Sequence, residues 1–549
     1  MYAPWLSRMP GSQNPAYWNY QNATLDALTQ KVAFSNFTSE AERNQLVNDA
    51  VKMGIQESVR IFIAQKTDPY VASARLEGLV NDFGAGIASK YSLLNARPAD
   101  GNSSIDVGVK QIHQGSWNTI AGLQDIYGSS IYSLVADSGT FRNPYTGEAI
   151  PFRGEWTDIL TGGPLGKINV PTDAIKWNET LQQWVNVSTN ANAISKVTFK
   201  PLYSKWHNGI PMDVSDMMYS DYFSQEWGTD LGAGDRTKDP EYTPPAAEAL
   251  KRSEGVRYVN ADTIENYIDI WHYDDKEIAA AGVSFPTEPW EITAASERIV
   301  MDGKLAYSRS EAQAKGVGWY DPLVREHADL IKEELQKMKS EQFVPAALKG
   351  VVSIQDAMKR YDASINWITN HGHAIISNGA FYLDNFNAAG GTITIKAFRD
   401  PSYPFEVGHW SHYESPLLAD ITSVDVPRLV TVGQPTSATV KIEVGGRPSS
   451  NATVNYFLSN KDGVVVASGQ AEPQSTGEFL IDLTANVSSK LSPGPNQIKI
   501  FATSNEALRP DISSDTLLVL PHALTNQTTN SDQADRAQIV PTVLSDQRS

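Results

Sequence analysis

The chain has 549 residues, and its 45 basic and 63 acidic residues give a formal net charge of −18. This acidic balance disfavours nucleic acid as a partner, because nucleic-acid binding needs basic patches. The absence of cysteine excludes disulfides, thiolate metal sites and cysteine nucleophiles. No apolar run is long enough to span a membrane, and the first residues lack a signal-peptide pattern.

Motifs typical of enzymes are missing from the sequence. It contains no H-E-x-x-H zinc motif, no G-x-S-x-G nucleophile elbow and no G-x-x-x-x-G-K-[ST] phosphate loop. Acidic residues are plentiful, but their spacing singles out no glycosidase pair. We therefore expect a protein that is not an enzyme and that carries no cofactor.

Residues 1–95 begin with an aromatic turn and a helix over Tyr17–Leu28. Ser39 and Glu42 have the spacing of a capping box and predict a second helix. The β-branched and aromatic run Val59–Ile63 then predicts a strand.

Residues 100–200 have the pattern of the start of a lobe. The alternation in Ile105–Ile112 predicts a strand. Val197 and Phe199 alternate with polar residues and predict another strand.

The segment Lys196–Ser220 organises the middle of the chain. Asn208-Gly209 is a tight-turn dipeptide, because both residues tolerate a positive φ angle. Asp213 and Asp216 have capping-box spacing, so the order is strand, aromatic loop, turn and capped helix.

Further elements follow this segment. Val256–Val259 and Asn266–His272 predict strands, and Ser353 predicts a helix cap. Glu288–Glu291 and Pro322 each introduce a helix. Residues 373–405 predict three strands, separated by an Asn-Gly turn and a Gly-Gly hairpin turn.

Residues 416–520 change to short alternating strands separated by turn residues, which is typical of an all-β immunoglobulin- or fibronectin-like sandwich. The tail 521–549 is rich in polar residues and predicts a disordered stalk. The predicted strands are Leu429–Val432, Ala438–Val444, Thr453–Leu458, Val464–Ser468, Phe479–Leu483, Gln497–Ala502 and Thr516–Leu520.

The segment 196–220 resembles the signature of extracellular solute-binding proteins of family 5, the dipeptide-, oligopeptide- and nickel-binding components of ABC importers. Two further landmarks of that family are similar to segments at 22–46 and 379–403, and we call the one that 379–403 resembles its second landmark. Asn118–Tyr132 resembles the family's ligand-proximal opening, where a strand ends near the cleft and a helix begins. The signature residues are Trp206, His207, Asn208, Gly209, Pro211, Asp216, Met217, Tyr219 and Ser220. The other matches are Asn22, Leu25, Asp26, Leu28, Glu42, Arg43 and Leu46, then Gly379, Phe381, Leu383, Arg399 and Tyr403.

The resemblance implies an α/β fold with periplasmic-binding-protein-like lobes of type II, cluster C. In this family the segment like 22–46 normally follows the signature, whereas here it precedes it. We therefore expect the later portion of a long archaeal-type receptor, split from its beginning, with a permuted fold as the alternative. The expected parts are a closing segment of the second lobe (1–95), the main solute-binding lobe (96–415), the sandwich (416–520) and the stalk (521–549).

The resemblance also implies the function, which is capture of a peptide or similar small solute outside the cell. The expected partners are that ligand, an ABC transporter permease and a second polypeptide that completes the fold. Aromatic and amide side chains near strand ends supply the flat surface and directed hydrogen bonds that such a ligand needs. The candidates are Trp117, Asn118, Tyr127, Tyr222, Trp227, Trp271 and Phe381. Trp206 and His207 are better explained as braces of the turn.

Two alternatives remain open at this point. A cell-surface structural or adhesion protein can reuse the fold, with a filled cleft and contacts through residues 416–520. A nickel or copper receptor would instead bring His371, His373, His409 and His412 together, because imidazole suits these metals.

Asn-x-Ser/Thr sequons give mild support to an extracellular, surface-associated glycoprotein. They begin at Asn22, Asn36, Asn102, Asn178, Asn186, Asn451, Asn486 and Asn526.

Overall fold

The computed structural model describes residues 22–57, 63, 69–123 and 125–521. The chain divides into two compact units, Met1–Ser415 and Pro416–Ser549. The predicted strand Val59–Ile63, apart from its last residue, and the predicted stalk, apart from Pro521, lie outside the described residues.

The first unit mixes helices with short strands. Its helices are α1 (Ala23–Ala33), α2 (Glu40–Gln56), α3 (Lys90–Asn95), α4 (Ile126–Val135), α5 (Val214–Gly228), α6 (Thr243–Leu250), α7 (Asp275–Gly282), α8 (Trp290–Met301), α9 (Arg309–Lys315), α10 (Arg325–Ser340) and α11 (Ile354–His371), with 3-10 turns at Ala346–Leu348 and Ser411–Tyr413. Its strands are β1 (Leu76–Glu77), β2 (Arg97–Pro98), β3 (Thr140–Arg142), β4 (Ala149–Pro151), β5 (Gly154–Thr161), β6 (Ile168–Asn169), β7 (Ile175–Asn178), β8 (Gln183–Asn186), β9 (Asn192–Ala193), β10 (Ser195–Pro201), β11 (Ser253–Asn260), β12 (Thr263–Ile268), β13 (Leu305–Ala306), β14 (Gly318–Trp319), β15 (Phe381–Asn387) and β16 (Thr392–Ala397).

A six-stranded sheet of order β5-β10-β12-β11-β7-β8 forms the largest sheet of this unit. Its strand pairs are antiparallel, with Val197 opposite Asn266 and Phe199 opposite Ile264. Val197 and Phe199 are fully buried because the alternation of β10 directs them to one face, where α7 supplies Ile278. The strand predicted from this alternation is therefore present.

The caps of the helices follow the sequence signals closely. The Asp213 side chain accepts a hydrogen bond from the backbone of Ser215, and Asp216 accepts one from the backbone N–H of Asp213. This reciprocal capping box begins α5 at Val214. Ser39 caps α2, but Glu42 accepts from Thr38 rather than from the cap residue.

Two predicted strands are absent from the structure. Ile105–Ile112 forms no strand, and the side chains of Val107 and Val109 are exposed. The strand predicted from the alternation of this segment is therefore wrong. A strand also needs a neighbouring strand to satisfy its backbone hydrogen-bonding groups. Residues 373–378 are likewise irregular, so the predicted three strands reduce to the hairpin of β15 and β16.

The second unit is a β-sandwich. Its elements are β17 (Ala419–Asp425), β18 (Leu429–Thr431), β19 (Thr436–Val444), β20 (Arg447–Pro448), β21 (Ala452–Ser459), β22 (Val465–Gln470), β23 (Glu472–Ser475), β24 (Glu478–Leu483), α12 (Ala485–Ser488), β25 (Gly494–Ser504) and β26 (Asp511–Leu520). One sheet has the order β17-β19-β24-β23 with β20 beside β19, and the other has the order β18-β26-β25-β21-β22.

Alternating side chains from both sheets fill the interior of the sandwich. Val440 and Ile481 from the first sheet and Val454, Ile500 and Leu517 from the second are fully buried in one apolar cluster. Two antiparallel-rich sheets enclosing one alternating core are the architecture of immunoglobulin- and fibronectin-like domains. The predicted all-β sandwich is therefore confirmed at this level.

The core of the first unit is larger and richer in aromatic residues. Helices α5, α8, α10 and α11 contribute to one cluster that includes Trp206, Trp227, Trp290, Tyr307 and Tyr361. Among the described residues, no helix combines the length and the apolar character needed to cross a membrane.

Candidate functional site

The Asn208-Gly209 turn connects β10 to α5. The backbone N–H of Gly209 donates to the carbonyl of Trp206 over 2.8 Å. Gly209 has a φ angle of +86°, in the region that favours glycine. The Asn208 amide donates to the Ser364 hydroxyl of α11 over 3.0 Å, so the turn is tied to a distant helix.

This turn contacts the segment before β15, which holds the second landmark of the family resemblance. The backbone N–H of His207 donates to the Ser377 carbonyl over 2.9 Å, and its ring nitrogen Nε2 lies 3.0 Å from the Gly379 carbonyl. Burial lowers the pKa of His207 to about 4, so the ring is neutral. The neutral ring donates its Nε2–H to Gly379, and His207 braces the two landmarks against each other.

Asp216 is a fully buried carboxylate at the start of α5. The Arg360 guanidinium of α11 donates to both of its oxygens over 2.9 Å and also to Glu291 over 3.1 Å. The Trp206 indole donates to the same carboxylate over 3.3 Å. Burial raises the pKa of Asp216 to about 6, although Arg360 opposes this shift. The network joins α5, α8 and α11.

A cavity of about 140 Å³, which we call the Glu288 cavity, lies beside this network. Residues from α5, from the start of α8 and from three segments outside the helices enclose it. Ser220 and Ser224 are partly exposed, so one side of the cavity is open to solvent. The lining residues are Thr119, Ile120, Asp216, Tyr219, Ser220, Phe223, Ser224, Tyr242, Pro286, Thr287, Glu288, Trp290 and Thr293.

Glu288 is the buried carboxylate of this cavity that pairs with no cation in the described structure. Its two oxygens accept hydrogen bonds from the hydroxyls of Thr119 over 2.7 Å and Thr293 over 2.9 Å. Burial raises the pKa of Glu288 to about 7, against the effect of the two hydroxyls, and Glu291 adds to the rise. The group therefore changes charge near neutral pH.

A second buried carboxylate, Glu297, lies on α8, which begins two residues after Glu288. It accepts hydrogen bonds from the phenols of Tyr219 and Tyr222, over 2.6 and 3.0 Å, and from the Trp227 indole over 2.9 Å. Burial raises the pKa of Glu297 despite these donors. With all its near donors supplied by α5, Glu297 serves to hold α5 against α8.

None of the seven residues predicted to contact a ligand lines the Glu288 cavity. Tyr222 and Trp227 meet at Glu297 inside the core. Trp117 and Asn118 are fully buried, with the Asn118 amide donating to the Tyr307 carbonyl. These four side chains hold the fold together, and Asn118 also fixes the loop that carries Thr119 by accepting two backbone N–H bonds.

The other three predicted residues lie apart from one another. Tyr127 is in the first turn of α4, and Phe381 begins β15. Trp271 follows β12 and packs edge-on against Phe37, with ring centroids 6.1 Å apart. All three are partly exposed, so the structure leaves them accessible without bringing them to one cavity.

The four histidines do not form a metal-binding group, since the described residues contain no cluster of three or more potential ligands. His371 ends α11 and stacks on Trp367, with ring centroids 3.8 Å apart. His373 is buried and bonds the Leu383 carbonyl. His409 and His412 instead flank Trp410. The metal-receptor alternative thus lacks its four-ligand site.

The sequons differ in how accessible their amides are. Asn186 and Asn451 are exposed, but their side-chain nitrogens donate to Thr172 and Glu506. Asn22 and Asn178 are partly buried, and Asn526 lies outside the described residues. Asn36, Asn102 and Asn486 are exposed.

The sequence pattern missed the residues that build this site. The local pattern at Glu288 predicts the start of a helix and assigns this side chain no role of its own. Arg360 lies 144 positions from Asp216, and a pairing at that separation leaves no local pattern. A useful signal would have been the density of carboxylates in Glu288–Glu297, because charged residues on an otherwise apolar helix need buried partners.

No family model matches the chain, and no curated protein matches it. Solved structures with a local likeness include a 1.5-MDa bacterial ice-binding adhesin (18% identity, 20% of this chain, 33% of that chain, TM-score 0.15). They also include fibronectin(III)-like modules of Clostridium thermocellum CbhA (12%, 21% and 53%, TM-score 0.14) and the adhesin domain of Epf from Streptococcus pyogenes (11%, 20% and 34%, TM-score 0.15). This chain thus spans at most about half the length of these three. At TM-scores this low, the likenesses carry no argument about function.

Proposed function

We propose that this chain is a non-catalytic protein of the cell exterior that makes structural or adhesive contacts through its β-sandwich. The observation that supports this is the outer face of the sheet β18-β26-β25-β21-β22. Side chains that point away from a sandwich core are expected to be polar, and this face departs from that pattern.

Two apolar clusters lie on this face. The Phe cluster consists of Phe457, Phe501 and Ile512, with the two phenyl rings edge-to-face at a centroid distance of 5.3 Å. Phe501 is directly opposite Ile512 across the strand pair. Phe457 and Ile512 are 41% and 51% exposed, so the cluster faces solvent.

The Leu cluster consists of Leu429, Leu518 and Leu520. Leu429 and Leu518 are directly paired between β18 and β26. The three side chains are 58%, 45% and 42% exposed, which is high for leucine. Leu518 is six residues beyond Ile512, so the two clusters are about 20 Å apart along the strand.

The charge of this face favours close approach by another protein. In a chain with 63 acidic residues, the outward positions of β18, β21, β25 and β26 carry Lys499 and no carboxylate. These positions are 429, 431, 453, 455, 457, 459, 495, 497, 499, 501, 503, 512, 514, 516, 518 and 520. A face that carries two apolar clusters and no carboxylate avoids the repulsion that the net charge imposes elsewhere.

The occupant that fits this face is a second copy of the chain. Because the Phe and Leu clusters lie at opposite ends of the face, a two-fold axis between them sets the Phe cluster of one copy against the Leu cluster of the other. Such an isologous contact is complementary without any further partner. A stable one buries about 800 Å² on each copy.

Sedimentation velocity over a range of protein concentrations tests this function. We expect concentration-dependent self-association of the wild-type chain, and a monomer for the double variant Phe457→Lys with Leu518→Lys. Ser437→Lys is the matched control, because Ser437 is exposed on the other sheet. A wild-type chain that is monomeric at every concentration, or a double variant that associates as the wild type does, would overturn the proposal.

We propose solute capture for an ABC importer as the second candidate. The observation that favours it is that the signature turn and the second family landmark are hydrogen-bonded through His207 and lie in one unit. A thermal-shift screen with a peptide library tests this candidate. Stabilisation by a peptide supports capture, and a flat response across the library counts against it.

A further inference from the structure

One buried polar group of a residue that lines the Glu288 cavity has no partner among the described residues. The Trp290 side chain is 1% exposed, and its indole N–H donates to no described residue. An unpaired buried N–H costs about 1–3 kcal/mol, so a partner inside the cavity would be favourable. Ser220 also lines the cavity.

The charges around this cavity favour a cation. Glu288, Asp216 and Glu291 are buried within or beside it, and Arg360 is the cation that pairs with the last two. Glu288 is bonded to hydroxyls alone among the described groups, and hydroxyls do not neutralise a carboxylate. A ligand that brings a positive charge would balance this group.

The remaining walls suit the body of a small organic cation. Tyr219, Phe223, Tyr242 and Trp290 line the cavity, and aromatic rings attract ammonium groups and their attached carbons. A water molecule needs about 10–15 Å³ of free space, so the cavity of about 140 Å³ has room for a molecule of several non-hydrogen atoms. Its size does not suit an extended peptide.

We propose that the Glu288 cavity binds a small amine that also carries an oxygen acceptor, such as an amino alcohol or a short amino acid. The ammonium group bonds the Glu288 carboxylate, and the oxygen accepts from the Trp290 indole N–H. This proposal does not rest on the sandwich contact or on an importer. All of the groups that would bind the amine lie in the first unit and contact the ligand directly.

Binding is expected to depend on pH in a definite direction. The ammonium group interacts with the ionised form of Glu288, whose pKa burial raises to about 7. At pH 6 the carboxyl must lose its proton to bind, which weakens affinity, whereas at pH 8 it is already ionised. The amine should therefore bind more tightly at pH 8 than at pH 6.

The experiment is a titration of the full chain by calorimetry and thermal shift at pH 6 and pH 8 in phosphate buffer, since Tris is itself an amino alcohol. The probes are ethanolamine and glycine, with methylammonium, glycerol and acetate as controls. We expect binding of ethanolamine or glycine at pH 8, and binding of methylammonium weaker by about threefold to tenfold because it lacks the acceptor. Comparison of the first two distinguishes an amino alcohol from an amino acid.

Two variants connect the binding to this cavity. Glu288→Gln keeps the shape and removes the charge, and should abolish both the binding and its pH dependence. Glu226→Gln is the matched control, because Glu226 is also buried and accepts an indole N–H, from Trp177, but does not line the cavity. It should bind as the wild type does.

Three results would overturn the site. They are no heat and no thermal shift with either amine at pH 8, an equal response to glycerol or acetate, and undiminished binding by Glu288→Gln. Sedimentation reports on the sandwich contact separately, so failure of one proposal is distinguishable from failure of the other. Trp290→Phe provides a further readout, because ethanolamine should then lose its advantage over methylammonium.

Discussion

The two units of this protein are stabilised by different chemistry. The first unit buries acidic and basic groups, including Asp216, Glu288, Glu291, Glu297 and Arg360, whereas the described part of the second unit buries Ser449, Ser488 and Asn496 as its polar residues. Burying a charge is costly unless it is paired, so the first unit depends on exact partners and on pH. The sandwich is stabilised by apolar packing, which needs no charge partners and does not depend on pH.

Removal of Arg360 should have the largest effect. Arg360→Met leaves Asp216 and Glu291 as buried carboxylates without their cation, and we expect a loss of about 3–5 kcal/mol in the stability of the first unit. Urea unfolding followed by tryptophan fluorescence measures this. Lys359→Met is the control, because Lys359 is exposed and pairs with an exposed aspartate. A small loss for Arg360→Met would show that these carboxylates are not held by charge pairing.

The next effect concerns pH. Glu288 has a pKa of about 7 in the folded chain, above its ordinary value of 4.5, so the folded state binds more protons between these values. Stability from this group is present below pH 4.5 and is lost as pH rises through 7. Glu288→Gln should therefore be more stable than the wild type at pH 8, by about 1–3 kcal/mol, and similar to it near pH 4.5.

Unfolding curves at both pH values check this expectation. Glu248→Gln serves as control, because its carboxylate is on the surface beside Lys251. If the free energies of unfolding of the wild type and Glu288→Gln differed by the same amount at both pH values, the pKa of Glu288 would not change on unfolding.

The smallest effect is expected in the sandwich. Ile500 is fully buried between the two sheets, so Ile500→Val should cost about 0.5–1.5 kcal/mol, with the same value at pH 5 and pH 8. Val464→Ala is the control, because Val464 is exposed and lies outside the Phe and Leu clusters, and it should change stability little. If the cost of Ile500→Val varied with pH, the contrast between the two units would fail.

Local signals in the sequence predicted the local structure well. The Asp213 and Asp216 spacing gave the capping box of α5, and Asn208-Gly209 gave the turn before it. The seven strands expected in 416–520 all have counterparts in the sandwich. Each of these features depends on residues close together in the chain.

Features that depend on distant residues were not predictable in this way. The strand expected at Ile105–Ile112 has no neighbouring strand, and the alternation of its residues carries no information about neighbours. Glu288 accepts a hydrogen bond from Thr119, which lies in a loop 169 positions away in the sequence. Predicting a site of this kind would have required the tertiary contacts of the chain.

The carboxylate of Asp216 caps the start of α5 by accepting the backbone N–H of Asp213. It also accepts hydrogen bonds from the Trp206 indole and from both terminal nitrogens of Arg360. One side chain therefore links the turn before α5 to α11, so the turn cannot open while α11 remains docked. Amide hydrogen exchange at Gly209 should consequently occur at the rate of global opening of the first unit, although a two-residue turn would by itself exchange much faster.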